Sequence, residues 1–224
     1  MNAKWLYALF GLIVLGSVVF AISGATVQVG PELRWNGAQT AGSDTTEGGN
    51  ITAVNVSSVS LTDRWASYFG NVTGSIILDD NGIGNAVYTW SWAPAAGGEV
   101  CVSEASAFNF ATAAAATAAN IDSVWGFTGV ADSAANTYNN GSCSLTFTPQ
   151  GAKTGVGADI QGVSSYISCA IAQPSPTQED HFAFCAVMNS SGVNYDNVPS
   201  HYEVIVPTTN GSGTETYYFY AELN

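Results

Sequence analysis

The sequence predicts a mainly β protein: an antiparallel β-sandwich with a short Ala-rich helix, preceded by an N-terminal hydrophobic helix. Three observations carry this. About ten short segments show strand patterning between turns rich in Gly and Asn. Hydrophobic residues make up 46% of the chain and aromatic ones 12%, more apolar side chain than one open sheet can bury. Charged residues are only 9%, against about 25% in an average protein, so the polar surface must come from Ser, Thr, Asn and Gly. With 224 residues, the chain suits a single β domain behind its N-terminal segment.

That segment sets the first boundary. Lys4 precedes an uncharged apolar run from Trp5 to Ile22, and Ser23-Gly24-Ala25 supplies the small residues that signal peptidase reads. The run is long for a signal sequence and just long enough to span a bilayer. Residues 1–25 are therefore expected to be a signal peptide or a membrane anchor, and residues 26–224 a single domain outside the cytoplasm. Lys4 before the run fits a positive-inside orientation.

The elements follow in order. Thr26–Val29 alternates as a short strand that Pro31 stops, and 38–49 reads as a loop. Ile51–Leu61, Gly74–Leu78 and Ala86–Trp92 read as strands, the last with Tyr88, Trp90 and Trp92 at period 2, which places the two tryptophans on an inner face. Asp79-Asp80-Asn81-Gly82 is a hairpin turn. Glu99–Ser103 is a strand. Ala107–Ala119, Ala-rich and without Gly or Pro, is the clear helical stretch, and a second short helix is expected near Asp132-Ser133, which can cap it. Strands resume at Cys143–Thr148, 165–171, 181–188, His201–Val206 and Thr214–Leu223.

Four cysteines, Cys101, Cys143, Cys169 and Cys185, lack any C-x2-C pair, which points to disulfides rather than zinc. Three pairings are open. A hairpin centred on Thr177 sets Cys169 opposite Cys185 at cross-strand distance, about 4.5–5.5 Å, which leaves Cys101 with Cys143.

Six Asn-x-Ser/Thr sequons, Asn50, Asn55, Asn71, Asn140, Asn189 and Asn210, make N-glycans expected on a secreted chain. Only four residues are Lys or Arg, and the net charge is −13, which excludes nucleic acid as a partner. No nucleophile-elbow, phosphate-loop or metalloprotease motif is present. Glu179-Asp180-His181 is a grouping able to hold a metal or to exchange a proton, but its place at a loop–strand junction equally suits solvated charge. The expectation is therefore a protein without catalytic residues, metal or cofactor. Trp65 and Trp125 are the candidates for stacking sugars.

His201–Asn224, with its Tyr-Glu-Val-Ile-Val-Pro strand, Gly-rich turn and closing Tyr-Tyr-Phe-Tyr-Ala-Glu-Leu strand, resembles the ends of uncharacterised archaeal surface proteins. Arg64–Asn71 and the strand through Glu99 resemble the same group. A looser similarity links the chain to archaeal pilins, which join a hydrophobic N-terminal helix to a glycosylated β head, although the pilin processing site and early acidic residue are missing from Met1–Phe10. These resemblances imply an extracellular, cell-surface β protein. They lead to two expectations: a structural subunit that self-assembles through its terminal strands or its N-terminal hydrophobic segment, or a carbohydrate-binding module. A hydrolase is a distant third.

Overall fold

In a computed structural model the described residues are 22–34, 40–79, 86–93, 98–209 and 214–223. The expected N-terminal helix, Trp35, the Asp80–Gly82 turn residues and the Asn210 sequon lie outside them. Among the described residues no helix is long and apolar enough to cross a membrane.

The fold is mainly β and antiparallel. The described residues form twelve strands, β1 (Ser23–Gly24), β2 (Trp65–Gly70), β3 (Gly74–Leu78), β4 (Tyr88–Trp92), β5 (Glu99–Ser103), β6 (Ala114–Ala115), β7 (Ser142–Phe147), β8 (Gly151–Asp159), β9 (Ile167–Ala172), β10 (Phe182–Val187), β11 (Tyr202–Pro207) and β12 (Tyr218–Ala221). The α-helices among the described residues are α1 (Ala118–Trp125) and α2 (Ala134–Thr137). One large sheet runs β1-β12-β5-β10-β9-β8-β7, with β6 also on β9; β11–β2 and β3–β4 are separate two-stranded ribbons.

The large sheet is covered on both faces, which follows from period-2 alternation in its central strands. In β10, Phe182, Phe184 and Ala186 point to one side, where they meet Ile121, Trp125 and Phe127 and the β11 residues Val204 and Val206. Ala183 and Cys185 point to the other, where Phe108, Phe110 and Ala113 close over them. The β2–β11 ribbon thus lies against one face and the 105–113 segment against the other.

The 105–113 segment corrects the expected helix. Ala107–Ala116 forms turns and the short strand β6; the helix begins only at Ala118. Phe108 and Phe110, two residues apart, both bury against the same face, their rings 4.8 Å apart, a spacing that an extended chain satisfies and a helix does not. Tertiary burial overrides alanine's propensity. Thr117 is the N-cap, its Oγ1 accepting from Asn120 N at 3.1 Å, and Gly126 in the left-handed region (φ 71°) ends the helix. The second helix starts at Ser133 as expected, but the cap comes from a distance. Ala134 N and Ala135 N donate to the Asp122 carboxylate at 2.6 and 3.1 Å, so α1 caps α2.

Two strands escaped the sequence reading. β2 holds Trp65, Tyr68 and Phe69 without clean alternation, and β8 (GAKTGVGAD) is nearly all small residues. β8 hands over its partner at Val156: Gly151–Val156 pairs with β7 and Val156–Asp159 with β9. The sheet folds there because Gly155 lets strands approach closely; a Cβ on it would lie 2.1 Å from Ala170 O. Conversely, Thr26–Val29 and Ile51–Leu61, expected as strands, form none. Among the described residues the first strand lies earlier, at Ser23–Gly24, with Ile22 buried beside it.

Both disulfides form, with pairings other than those expected: Cys101–Cys185 and Cys143–Cys169. The hairpin register was legible, since Cys185 does face Cys169. But Cys101 faces Cys185 from the opposite side, at a Cα separation of 4.0 Å. Cys143 reaches Cys169 across the fold in β8, at 5.8 Å, far less than the roughly 9.5 Å between strands on either side of a third.

Candidate functional site

Four buried carboxylates of this acidic chain, Glu99, Asp122, Glu203 and Glu222, hold backbone N–H groups. Folding at β8 brings the outer edge of β7 towards β5, where Thr146 N donates to Glu99 Oε1 at 2.8 Å and Thr148 N to Glu222 Oε1 at 2.7 Å. Alternate N–H groups of a strand point the same way, so two neighbouring glutamates seal this edge of the sheet. Both are buried, Glu99 at 3% and Glu222 at 0% exposure. Burial first, and then the neighbouring Glu222 charge, outweigh the Thr146 hydrogen bond and push the Glu99 carboxyl up to about 7. Glu203, also buried, accepts from Ser164 Oγ at 2.8 Å and Tyr195 N at 3.0 Å; burial raises its pKa too. Asp132 accepts from Thr62 Oγ1 at 2.6 Å and Arg64 Nη1 at 3.1 Å, and these contacts lower its pKa, the Thr62 bond most.

A second acidic group lines a recess of about 460 Å³ formed by Glu104, Val124 and residues 177–180. Burial, then Glu215 and Glu179, push Glu104 up to about 7. Tyr217 Oη donates to Glu215 Oε2 at 3.1 Å and to Pro207 O, and burial raises its pKa. The Glu179-Asp180-His181 grouping belongs to a 3-10 turn at the rim, where His181 Nδ1 accepts from Thr177 N at 3.2 Å. The recess can store a proton. Among the described residues no group of three or more His, Cys, Asp or Glu is placed to hold a metal.

The tryptophans trade places. Trp125 is buried at 6% exposure, its ring against Phe182 and Phe184. Trp65 packs on Phe127 and Tyr138, and its Nε1 donates to Asp132 O at 2.6 Å. Trp125 is thus closed to a ligand, while Trp65 is half-buried. Trp92 is buried, as its alternation predicts, but Trp90 is exposed; among the described residues the β3–β4 ribbon is covered at its Trp92 end, by Val100 and Met188. Tyr88 and Trp90 sit side by side on it, centroids 4.6 Å apart.

About half of the exposed large apolar side chains among the described residues lie in two places. One is the ribbon, through Ile76, Ile77, Leu78, Val87, Tyr88 and Trp90; the other is the irregular segment carrying Ile51, Val54, Val56, Val59 and Leu61. The C-terminal strand β12 has a neighbour on each side, β5 and β1, so it is occupied within its own chain. A groove of about 650 Å³ runs past β1 between Thr26, Val27, Phe69 and Tyr202.

Five sequons are described. Asn50, Asn55, Asn71 and Asn189 are exposed; Asn140 is exposed too, but its Nδ2 donates to Asp159 Oδ1 at 2.6 Å, a bond that a glycan there would replace. The chain matches no family model, no curated protein and no solved structure.

Proposed function

We propose that this chain is a non-enzymatic structural protein of the cell surface, a subunit of a filament or coat. In this reading the β2–β11 ribbon and the large sheet form the two layers of an extracellular, glycosylated head. The N-terminal hydrophobic run serves as its export signal or membrane anchor. The observation that carries the reading is the apolar surface left in solvent along 51–61, 76–78 and 87–90. Patches of this kind mark contact with another protein or a membrane. Two disulfides fit an oxidising compartment. Glu99, Asp122, Glu203 and Glu222 are committed to backbone N–H groups.

Electron microscopy of material sheared from the native cell surface, with this chain identified by mass spectrometry, tests the reading. Regular filaments or sheets containing it are expected; dispersed single particles overturn it.

The adjacent exposed rings of Tyr88 and Trp90 favour one alternative, a secreted or anchored carbohydrate-binding module. Binding on a glycan array that disappears with Trp90→Ala would establish that alternative in its place.

A further inference from the structure

The β3–β4 ribbon and the 51–61 segment each lack what the other supplies. A two-stranded ribbon is marginal in water and needs a third strand or a covering layer. Here β3 and β4 pair only with each other among the described residues, and large apolar side chains face solvent along both. Residues 51–61 have strand-forming composition and an uninterrupted chain without Pro or Gly. They form no strand, and Ile51 is 102% and Val56 89% exposed.

Charge selects the partner. Copies with net charge −13 repel one another wherever their acids face. Neither residues 51–61 nor β3 and β4 contain a charged residue. Two copies of this chain can therefore touch along these stretches at little electrostatic cost.

We infer that the 51–61 segment of one copy adds as a strand along the edge of the β3–β4 ribbon of a second copy. This rests on the assembly reading above and names its contact. Added main-chain hydrogen bonds extend the ribbon to three strands, while Val54 and Val56 cover its apolar side chains. In an extended chain Asn55 points away from Val54 and Val56, so a glycan on Asn55 leaves that face free.

The test uses the full chain. All four cysteines are bonded to each other, so a Val56→Cys variant presents a single thiol, to which a photo-cross-linker is attached. This variant is assembled with isotopically heavy wild-type chain, and cross-linked peptides are read by mass spectrometry. Links from position 56 to residues 74–78 or 87–92 of the heavy copy are expected. A Val54→Asp/Val56→Asp double variant should reduce assembly at least tenfold while keeping both disulfides and its thermal midpoint, because neither side chain is buried. Assembled particles whose links fall elsewhere, or only within one copy, overturn this contact and leave the assembly reading standing. Undiminished assembly of the double variant does the same. Failure of the wild-type chain to assemble overturns both.

Discussion

Cys169 and Cys185 occupy directly opposed positions across the β9–β10 ladder, yet each is bonded to a third cysteine. In an antiparallel sheet a central residue makes a hydrogen-bonded pair with one neighbour and a closer, non-hydrogen-bonded pair with the other. The 4.0 Å Cα separation of Cys101 and Cys185 is the close kind. It follows that Cys185 directs its backbone groups at Cys169 and its sulfur at Cys101.

Peptide mapping without reduction should recover Cys101–Cys185 and Cys143–Cys169. A Cys143→Ser variant leaves the Cys169 thiol on the same sheet face as Cys185, so partial exchange to Cys169–Cys185 with a free Cys101 is expected. From loop length alone, losing the bond that closes 26 residues should cost about 3.5 kcal/mol, and the one that closes 84 about 4.5 kcal/mol. Recovery of Cys169–Cys185 from the wild-type chain would contradict the assignment.

Stability should fall as pH rises from about 4.5 to about 7. Glu99 is raised from 4.5 to about 7 in the fold, so across that window the native state keeps a proton that the unfolded chain releases. Its contribution is fully present below the unfolded value and lost once the folded group ionises, a change of roughly 3 kcal/mol. Glu104 shifts in the same direction. Glu99→Gln keeps an acceptor for Thr146 N and removes the charge beside Glu222. Its thermal midpoint should exceed that of wild type at pH 8 and vary less between pH 5 and 8. A wild-type midpoint that rises over this range would refute the account.

The N-terminal strand makes a separate prediction. Ile22 is 6% exposed and packs against the face that holds Tyr220 and Phe108, and Ser23–Gly24 pairs with Tyr220–Ala221. Ile22→Ala should cost about 2 kcal/mol in denaturant unfolding. Truncation after Ala25 should cost at least as much, since it also strips the edge of β12. Mass spectrometry of native protein should therefore find Ile22–Ala25 still attached; a mature chain beginning at Thr26 would show that β1 is dispensable.

The sequence by itself determined where the period-2 strands lie. Glu99–Ser103, Gly74–Leu78 and the Cys169/Cys185 hairpin were legible to within a few residues, because alternation and turn residues are local signals. So were the need for two disulfides and the start of α2 at Ser133. Only the tertiary structure decided which neighbour a central strand bonds, since Cys185 has a cysteine on both sides and the hairpin reveals just one. It decided that Ala107–Ala116 is not a helix, because Phe108 and Phe110 gain more by burying together than alanine gains by coiling. It also made a strand of the small residues of β8, whose only pattern is the absence of side chains where the sheet folds, and it buried Trp125. The apolar surfaces of 51–61 and β3–β4 read as ordinary strands in sequence; that both remain uncovered depends on what lies beside them, which local pattern does not encode.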